Sequence, residues 1–267
     1  MQQNLSACGV EPQLVDHLTD LHPLLDRDGA VIISGPECGN EATRALARQI
    51  FADQTLAVPD AARVFEGGEY DHARSQVTNH IATPAHTDGF AYGDLYPDYM
   101  LLSCVRECAN GGESVLIDGY QVRQHLLDHP EFSWAGHALS EVVIDQTEAQ
   151  MQTALSPIVM DNGRGRRMVR KTLEQRPCAD SRDPERDALM IALWRDTIDQ
   201  AYMEAPRFKL RAGQTLVVDN YRMLHGRDPY DDLQRMLWRV WVWTTGALGV
   251  PELPLASDTR HASVRTN

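Results

Sequence analysis

No apolar run in this sequence approaches the roughly 20 residues that cross a bilayer. The opening MQQNLSACGVEPQ also lacks the charged-then-apolar pattern of a secretory leader. The expectation is a cytoplasmic protein without a membrane partner. Positive charge is in short supply: 25 Lys and Arg stand against 38 Asp and Glu, for a net charge of −13. That balance argues against nucleic acid or an anionic membrane surface, because phosphate binding relies on a cationic excess. Any anion site must be a local pocket of positive charge. Cysteine is scarce as well. The five (Cys8, Cys38, Cys104, Cys108, Cys178) are odd in number and include no C-x-x-C pair, which suits reduced thiols better than a disulfide frame or a zinc knuckle. Neither a composition break nor an internal repeat appears, so residues 1–267 are expected to form one domain. Homo-oligomerisation is left open.

What is present is a succession of short strand patterns with helices in front and one long helix inserted late. Residues 11–28 read as a helix with Leu14, Leu18, Leu21 and Leu25 on one face. A buried strand follows at 30–34, then a helix capped by Asn40 and running to about Leu56. Residues 59–80 show no sustained period and carry Gly67-Gly68; a loop that long inside a domain reads as a lid. A strand at 99–105, the Gly111-Gly112 turn, a strand at 113–118 and a helix through Val122, Leu126 and Leu127 come next. Segments 137–144 and 156–161 read as strands. Asn162-Gly163 signals a hairpin, and the basic run Arg164, Arg166, Arg167 at its tip reads as solvated. Asp183-Pro184 opens the long helix with Trp194, Ile198 and Tyr202 on one face. Residues 250–267 read as a loose or docked extension. The pattern is mainly β with flanking helices: a barrel or jelly roll buttressed by helices.

The most informative stretch is 214–245. An apolar strand (Thr215 to Val218) leads through a polar turn with His225 to a second strand that alternates with period two. Arg235, Leu237, Arg239, Trp241 and Trp243 share one face; Met236, Trp238, Val240 and Val242 share the other. Apolar neighbours imply burial, and a buried guanidinium needs an anion. The three tryptophans of this strand read as core.

His86-Thr87-Asp88 places an imidazole and a carboxylate on the same side of an extended segment. Alone, the pair reads first as a turn hydrogen bond in a polar loop. The same short pattern at His129-Pro130-Glu131 reads as a solvated helix end. His225 from a distant strand would complete two histidines and one carboxylate, a set that leaves three positions of an octahedral ion open. Gly111-Gly112-Glu113-Ser114 offers a small hydroxyl at a strand start, and an arginine fork plus a hydroxyl grips one carboxylate of a dicarboxylic acid. Asn79 and Tyr92 flank the histidine motif and are candidate substrate contacts. Arg170, on the strand returning from the hairpin, is a third by alternation. Two other classes stay open at this point: a hydrolase or lyase using a metal-bound water, which needs a general base, and a non-catalytic barrel that binds a small anion.

The set HTD, GGES, LHGR and R-x-L-x-R, in that order over residues 75–245, resembles the taurine dioxygenase family of Fe(II)- and 2-oxoglutarate-dependent oxygenases. Residues 83–120 resemble the γ-butyrobetaine and trimethyllysine hydroxylases in particular. The resemblance implies a double-stranded β-helix (jelly-roll, cupin-like) core. It implies Fe(II) held by His86, Asp88 and His225, with 2-oxoglutarate and O2 as co-substrates. Arg235 would bind the distal carboxylate of 2-oxoglutarate, and Ser114 stands where the family usually has a threonine touching that carboxylate. Arg239 would assist it or meet the substrate. The implied reaction oxidises an unactivated C–H bond of a small molecule with release of succinate and CO2. A carboxylate at Asp88 favours hydroxylation over halogenation; desaturation, epoxidation and cyclisation stay open. The cysteine-rich zinc domain of the carnitine-pathway enzymes has no counterpart in this sequence, and the segment before HTD offers only Phe65 and Tyr70 as aromatics. A trimethylammonium substrate is therefore not expected. A small polar metabolite, such as an amino-acid derivative, is.

Overall fold

The structure, a computed structural model, describes residues 5–35, 37–64, 70–71, 76–77, 81–149, 151–232, 234–252 and 255–258. In chain order the front half comprises β1 (Gln13–Val15), α1 (Leu21–Asp28), β2 (Ala30–Ser34), α2 (Asn40–Phe51), β3 (Thr55–Ala57), β4 (Ala62–Val64), β5 (Tyr70–Asp71), β6 (Gln76–Val77), β7 (Thr83–His86), β8 (Tyr99–Arg106) and β9 (Ser114–Asp118). Then come α3 (Gly119–Asp128), α4 (Ser133–Glu141), β10 (Ile144–Asp145), β11 (Leu155–Ser156), β12 (Val159–Asp161), β13 (Arg167–Val169), β14 (Arg176–Pro177), α5 (Pro184–Glu204), β15 (Gln214–Asp219), β16 (Met223–Arg227) and β17 (Met236–Thr244). Among the described residues, no helix is long and apolar enough to cross a membrane.

Alternation along β17 decides the layering. Val240 and Val242 turn outward, where with Leu101 and Val217 they pack beneath α1 and α2. Leu237, Trp241 and Trp243 turn inward onto Met100, Leu116 and Met223. The sheet they belong to runs β1-β2-β15-β8-β17-β3, with β4 also paired to β17. A second sheet, β7-β16-β9, faces it. Its outward residues Val115, Ile117 and Leu224 are covered by α3, α4 and α5. Gly226 lets α5 approach: a Cβ there would lie 2.6 Å from the ring of Tyr202. The inward residues of the second sheet, His225 and its partners, therefore face the interior between the sheets. This is the jelly-roll arrangement of two facing sheets, antiparallel except for the β1–β2 pair.

Five expectations need correction. Residues 11–28 are not one helix. Gln13–Val15 pairs parallel to β2, Leu14 is exposed, and helix begins only at Leu21. Pro23 explains the late start, since a proline is tolerated in the first turn of a helix but would break the interior of a longer one. Asn40 is the first residue of α2 and not its cap; its side chain accepts from the backbone N–H of Ala61 instead. That helix ends at Phe51, before Ala52 with a positive φ of 42°, and the chain is already strand at Thr55. Segment 137–144 is mostly α4, where Ala135 and Leu139, one turn apart, face the core. Of the stretch read as a lid, Ala62–Val64 is sheet paired to β17. Most of residues 65–80, with Asn79, lies outside the described residues.

Other expectations match. Asp183 caps α5 by accepting from the Arg186 N–H, with Pro184 in the first turn. Trp194 and Ile198 are fully buried against the second sheet. Truncating Trp194 to Ala should cost about 3–5 kcal/mol of stability, since it empties the seam between α5 and that sheet. Urea denaturation measures this; a loss below 1 kcal/mol would mean that α5 is not fastened there.

Candidate metal centre and anion pocket

β16 lies between β7 and β9 and pairs antiparallel with both. The register sets His225 opposite His86 on one side and opposite Leu116 on the other. Paired residues point to the same face of a sheet, so both imidazoles enter the interior side by side, with ring centroids 4.3 Å apart. Two residues on from His86, Asp88 turns in beneath them. Its Oδ1 lies 3.5 Å from His86 Nε2 and 3.6 Å from His225 Nε2. One ligand atom from each of the three residues falls within 4.8 Å of the others.

Each donor is locally prepared. His86 Nδ1 lies 2.9 Å from the Pro84 carbonyl, which can only accept, so the proton sits on Nδ1 and the Nε2 lone pair faces the cluster. Burial, reinforced by His86 and Arg239, pushes the His225 imidazole below its ordinary pKa and leaves it a neutral lone-pair donor. Its Nδ1 is buried without a hydrogen-bond partner among the described residues. Burial would raise the Asp88 carboxyl, but Arg239 and the two histidines outweigh it and hold Asp88 well below the usual carboxylate range.

The backbone around Asp88 is fixed from both sides. Asn220, wholly buried, accepts from the Asp88 N–H at 2.9 Å and donates to the carbonyls of Asp88 (3.1 Å) and Pro97 (2.7 Å). The Thr87 N–H donates to the Lys171 carbonyl at 3.0 Å. Gly89 then turns the chain at a φ of 88°, where a Cβ would stand 2.2 Å from Pro97 Cδ. The carboxylate itself accepts from Trp241 Nε1 at 2.7 Å and from Arg239 at 3.2 Å. Neither Asn220 nor the indole of Trp241 stands out in the sequence as a site residue. The available signal was parity, because Trp241 shares the inward face of Arg235 and Arg239.

An interior cavity of about 190 Å³ opens beside the cluster, lined by Thr83, Pro84, Phe90, Thr172, Leu173 and Arg239 besides His86 and Asp88. Arg235 and Ser114 meet elsewhere, in a smaller cavity with Gly112, Cys104 and Cys108. Ser114 pairs with Arg227 two positions along the ladder from the His225–Leu116 pair, about 7 Å away on the same inward face. Arg235 is buried (7% exposed), yet no carboxylate among the described residues pairs with it. Its guanidinium lies over the ring of Tyr230, 5.0 Å from the centroid. Gly112 leaves the room: a Cβ there would sit 3.3 Å from Arg235 Nε.

Arg170 does point inward, but its Nη1 donates to the Gly93 carbonyl and to Asp94 (3.1 Å), its Nη2 is buried without a hydrogen-bond partner among the described residues, and it does not line the cavity. Tyr92 is wholly buried, packed on Trp241 and Trp243, with its hydroxyl bonded to the backbone of Ala256. The structure thus gathers His225 with His86 and Asp88 in one cluster, sets His86, Asp88 and Arg239 on one cavity, and brings Arg235 and Ser114 to another. It leaves Tyr92 and Arg170 in internal contacts.

Residues 9–241 match the profile of the taurine catabolism dioxygenase TauD, TfdA family. The chain belongs to that family. TauD-family proteins are dioxygenases using Fe(II) and 2-oxoglutarate, and small molecules are their substrates. Gamma-butyrobetaine dioxygenase from Homo sapiens is 27% identical over 161 residues, a match covering 55% of this chain and 39% of the relative's length. Among solved structures, PvcB of Pseudomonas aeruginosa superposes with a TM-score of 0.62 at 18% identity, covering 88% of this chain and 83% of that one. Asparagine oxygenase gives 0.62 at 18% identity (85% and 77%). A taurine dioxygenase from Burkholderia xenovorans gives 0.60 at 18% identity (94% and 89%). These likenesses support the fold.

The donor set fits Fe(II). Ligand atoms on one face of an octahedron lie about 3 Å apart at ordinary bond lengths, and the contacts from Asp88 Oδ1 to the imidazoles, at 3.5 and 3.6 Å, are close to that without any ion. Arg235 gives a sharper prediction, because an unpaired buried cation costs stability until an anion arrives. Arg235→Met should make the protein about 1 kcal/mol or more stable alone and should remove the stabilisation that 2-oxoglutarate gives the wild type. Thermal melts with and without 2-oxoglutarate check both. A variant less stable than wild type and still stabilised by the ligand would show that the anion binds elsewhere.

Proposed function

We propose that this TauD-family protein hydroxylates an unactivated C–H bond of a small polar metabolite, an amino acid or its derivative, with release of succinate and CO2. The observation that carries the reading is the convergence of His86, Asp88 and His225 on one interior point, beside a cavity, with Arg235 buried nearby and paired with no carboxylate among the described residues. The three residues would hold Fe(II). Arg235 and Ser114 would hold the distal carboxylate of 2-oxoglutarate, the arginine by a charge-assisted fork and the serine by one further hydrogen bond. The separation of about 7 Å between the His225 and Ser114 positions suits a five-carbon dicarboxylate spanning both. When bound, Fe(II) and 2-oxoglutarate supply the oxidising chemistry, coupling O2 reduction to decarboxylation of the 2-oxo acid.

The protein's own part is to position and to exclude water. Arg239 and Trp241 hold the Asp88 carboxylate in place, so that it would face a bound metal in one orientation. Phe90, Pro84 and Leu173 give the cavity an apolar wall, and the hydroxyls of Thr83 and Thr172 can orient a polar substrate. Among the described lining residues, none outside the metal set is a carboxylate or an imidazole. A hydrolase using a metal-bound water would need such a base, which favours the oxygenase reading. Two neighbours of the same fold support an amino-acid substrate. One is an asparagine oxygenase complexed with a 3-hydroxyasparagine and succinate, and the other a non-heme iron oxygenase complexed with a 3-hydroxyarginine.

The test is succinate release from 2-oxoglutarate under air with Fe(II), alone and with a panel of free amino acids and their derivatives. Succinate should form slowly alone and faster with the substrate. His225→Ala should lower the rate at least a hundredfold, while 2-oxoglutarate still raises the melting temperature through Arg235. Ser114→Ala should raise the KM for 2-oxoglutarate about tenfold, the loss of one hydrogen bond to a charged group. Iron-loaded wild type that releases no succinate under any of these conditions would sink the proposal.

A further inference from the structure

We propose that the segment Ala256–Ser257 is a positioning element for the metal centre, with Ser257 setting the two groups that hold the Asp88 carboxylate. The inference rests on the reading of His86, Asp88 and His225 as a metal site.

β17 is paired along one side by β8. On its other side β4 covers only Leu237 to Arg239, and β3 covers only Trp243 and Thr244. The backbone N–H of Trp241 falls in the gap between them. A buried N–H needs an acceptor, and Ser257 Oγ supplies it at 3.1 Å. The carbonyl of the same serine accepts from Arg239 Nε at 2.9 Å. These two residues, Arg239 and Trp241, are the ones whose side chains donate to Asp88, at 3.2 and 2.7 Å. One serine therefore touches both supports of the carboxylate.

Ser257 is 1% exposed, so this is an internal contact and not a surface one. Its neighbour is tied down as well. The Tyr92 hydroxyl accepts from the Ala256 N–H at 2.8 Å and donates to the Ala256 carbonyl at 3.2 Å. The Tyr92 ring stands edge-on to Trp241, 6.0 Å between centroids. Fixing Nε of a guanidinium fixes the plane of the whole fork. With Nε on Ser257, the terminal nitrogen of Arg239 is held toward Asp88. Without that contact the long side chain regains its rotamers, and the carboxylate keeps only the indole. Groups that orient a metal ligand in this way are commonly worth about 10–100-fold in metal affinity.

The experiment is an anaerobic titration of the metal-free protein with Co(II), followed by its visible bands, beside a thermal melt of each variant. Ser257→Ala removes the Oγ bond to the Trp241 N–H, which ties the segment to β17 and so holds the backbone carbonyl that accepts from Arg239; Tyr92→Phe loosens the same carbonyl by removing both bonds to Ala256. Ser103→Ala is the control, since it breaks another fully buried hydroxyl pair (Ser103 with Thr215, 2.7 Å) in the same sheet. Ser257→Ala should weaken Co(II) binding about tenfold, with Tyr92→Phe changing it in the same direction. Ser103→Ala should lower the melting temperature but bind Co(II) like wild type. If Ser257→Ala and Tyr92→Phe only lower the melting temperature and bind Co(II) as tightly as wild type, the segment merely packs and the inference is overturned. Wild type that does not bind Co(II) at all would overturn the metal centre itself, and this inference with it.

Discussion

The buried carboxylate of Asp88 is the constraint on which the rest of the interior depends. A carboxylate 3% exposed is tolerated only where positive charge and donors surround it. Here Arg239 and the Trp241 indole donate to it and two imidazoles close the cluster, the four groups delivered by three strands. β7 brings His86, β16 brings His225, and β17 brings both Arg239 and Trp241. The facing of the two sheets can be seen as the geometry that lets these strands meet at one point. The helices outside each sheet pack the opposite faces and keep the strands from shifting register.

β17 carries two inward arginines with opposite situations. Arg239 is neutralised within the protein, by Asp88 and the Ser257 carbonyl. Arg235, four residues away, is buried against Tyr230 and has no internal anion among the described residues. An unpaired buried guanidinium carries a cost, and on the proposed reading this asymmetry is where the distal carboxylate of 2-oxoglutarate would bind.

Legibility in the sequence followed the reach of each signal. The inward face of β17, the His86-Thr87-Asp88 segment and the return to His225 were readable because strand alternation is local and the motif order matches a known family. The β-rich class and the capped start of α5 were readable for the same reason. What escaped depends on partners distant in sequence. Nothing local says that Gln13–Val15 would rather pair with β2 than join a helix, although Pro23 was a usable warning. Arg166, expected to be solvated at a hairpin tip, instead pairs with Asp98 and Asp219 at 2.8 and 2.6 Å. Asn220 reaches Asp88 across 132 residues, and Ser257 reaches Arg239 from a segment with no periodic pattern. Arg170 shows the limit of parity: alternation predicted that it points inward, and it does, but the acceptor it finds is the protein's own Asp94.

The most direct test of the central claim is anaerobic. Fe(II) is added to the metal-free protein, then 2-oxoglutarate, and the visible spectrum is followed for the weak charge-transfer band of the chelated 2-oxo acid. The account predicts a band only when both are present, abolished by Asp88→Ala and reached at much higher 2-oxoglutarate concentration in Arg235→Met. Iron that binds tightly but gives no band on saturation with 2-oxoglutarate would contradict it, because the metal centre and the Arg235 pocket would then not serve one bound molecule.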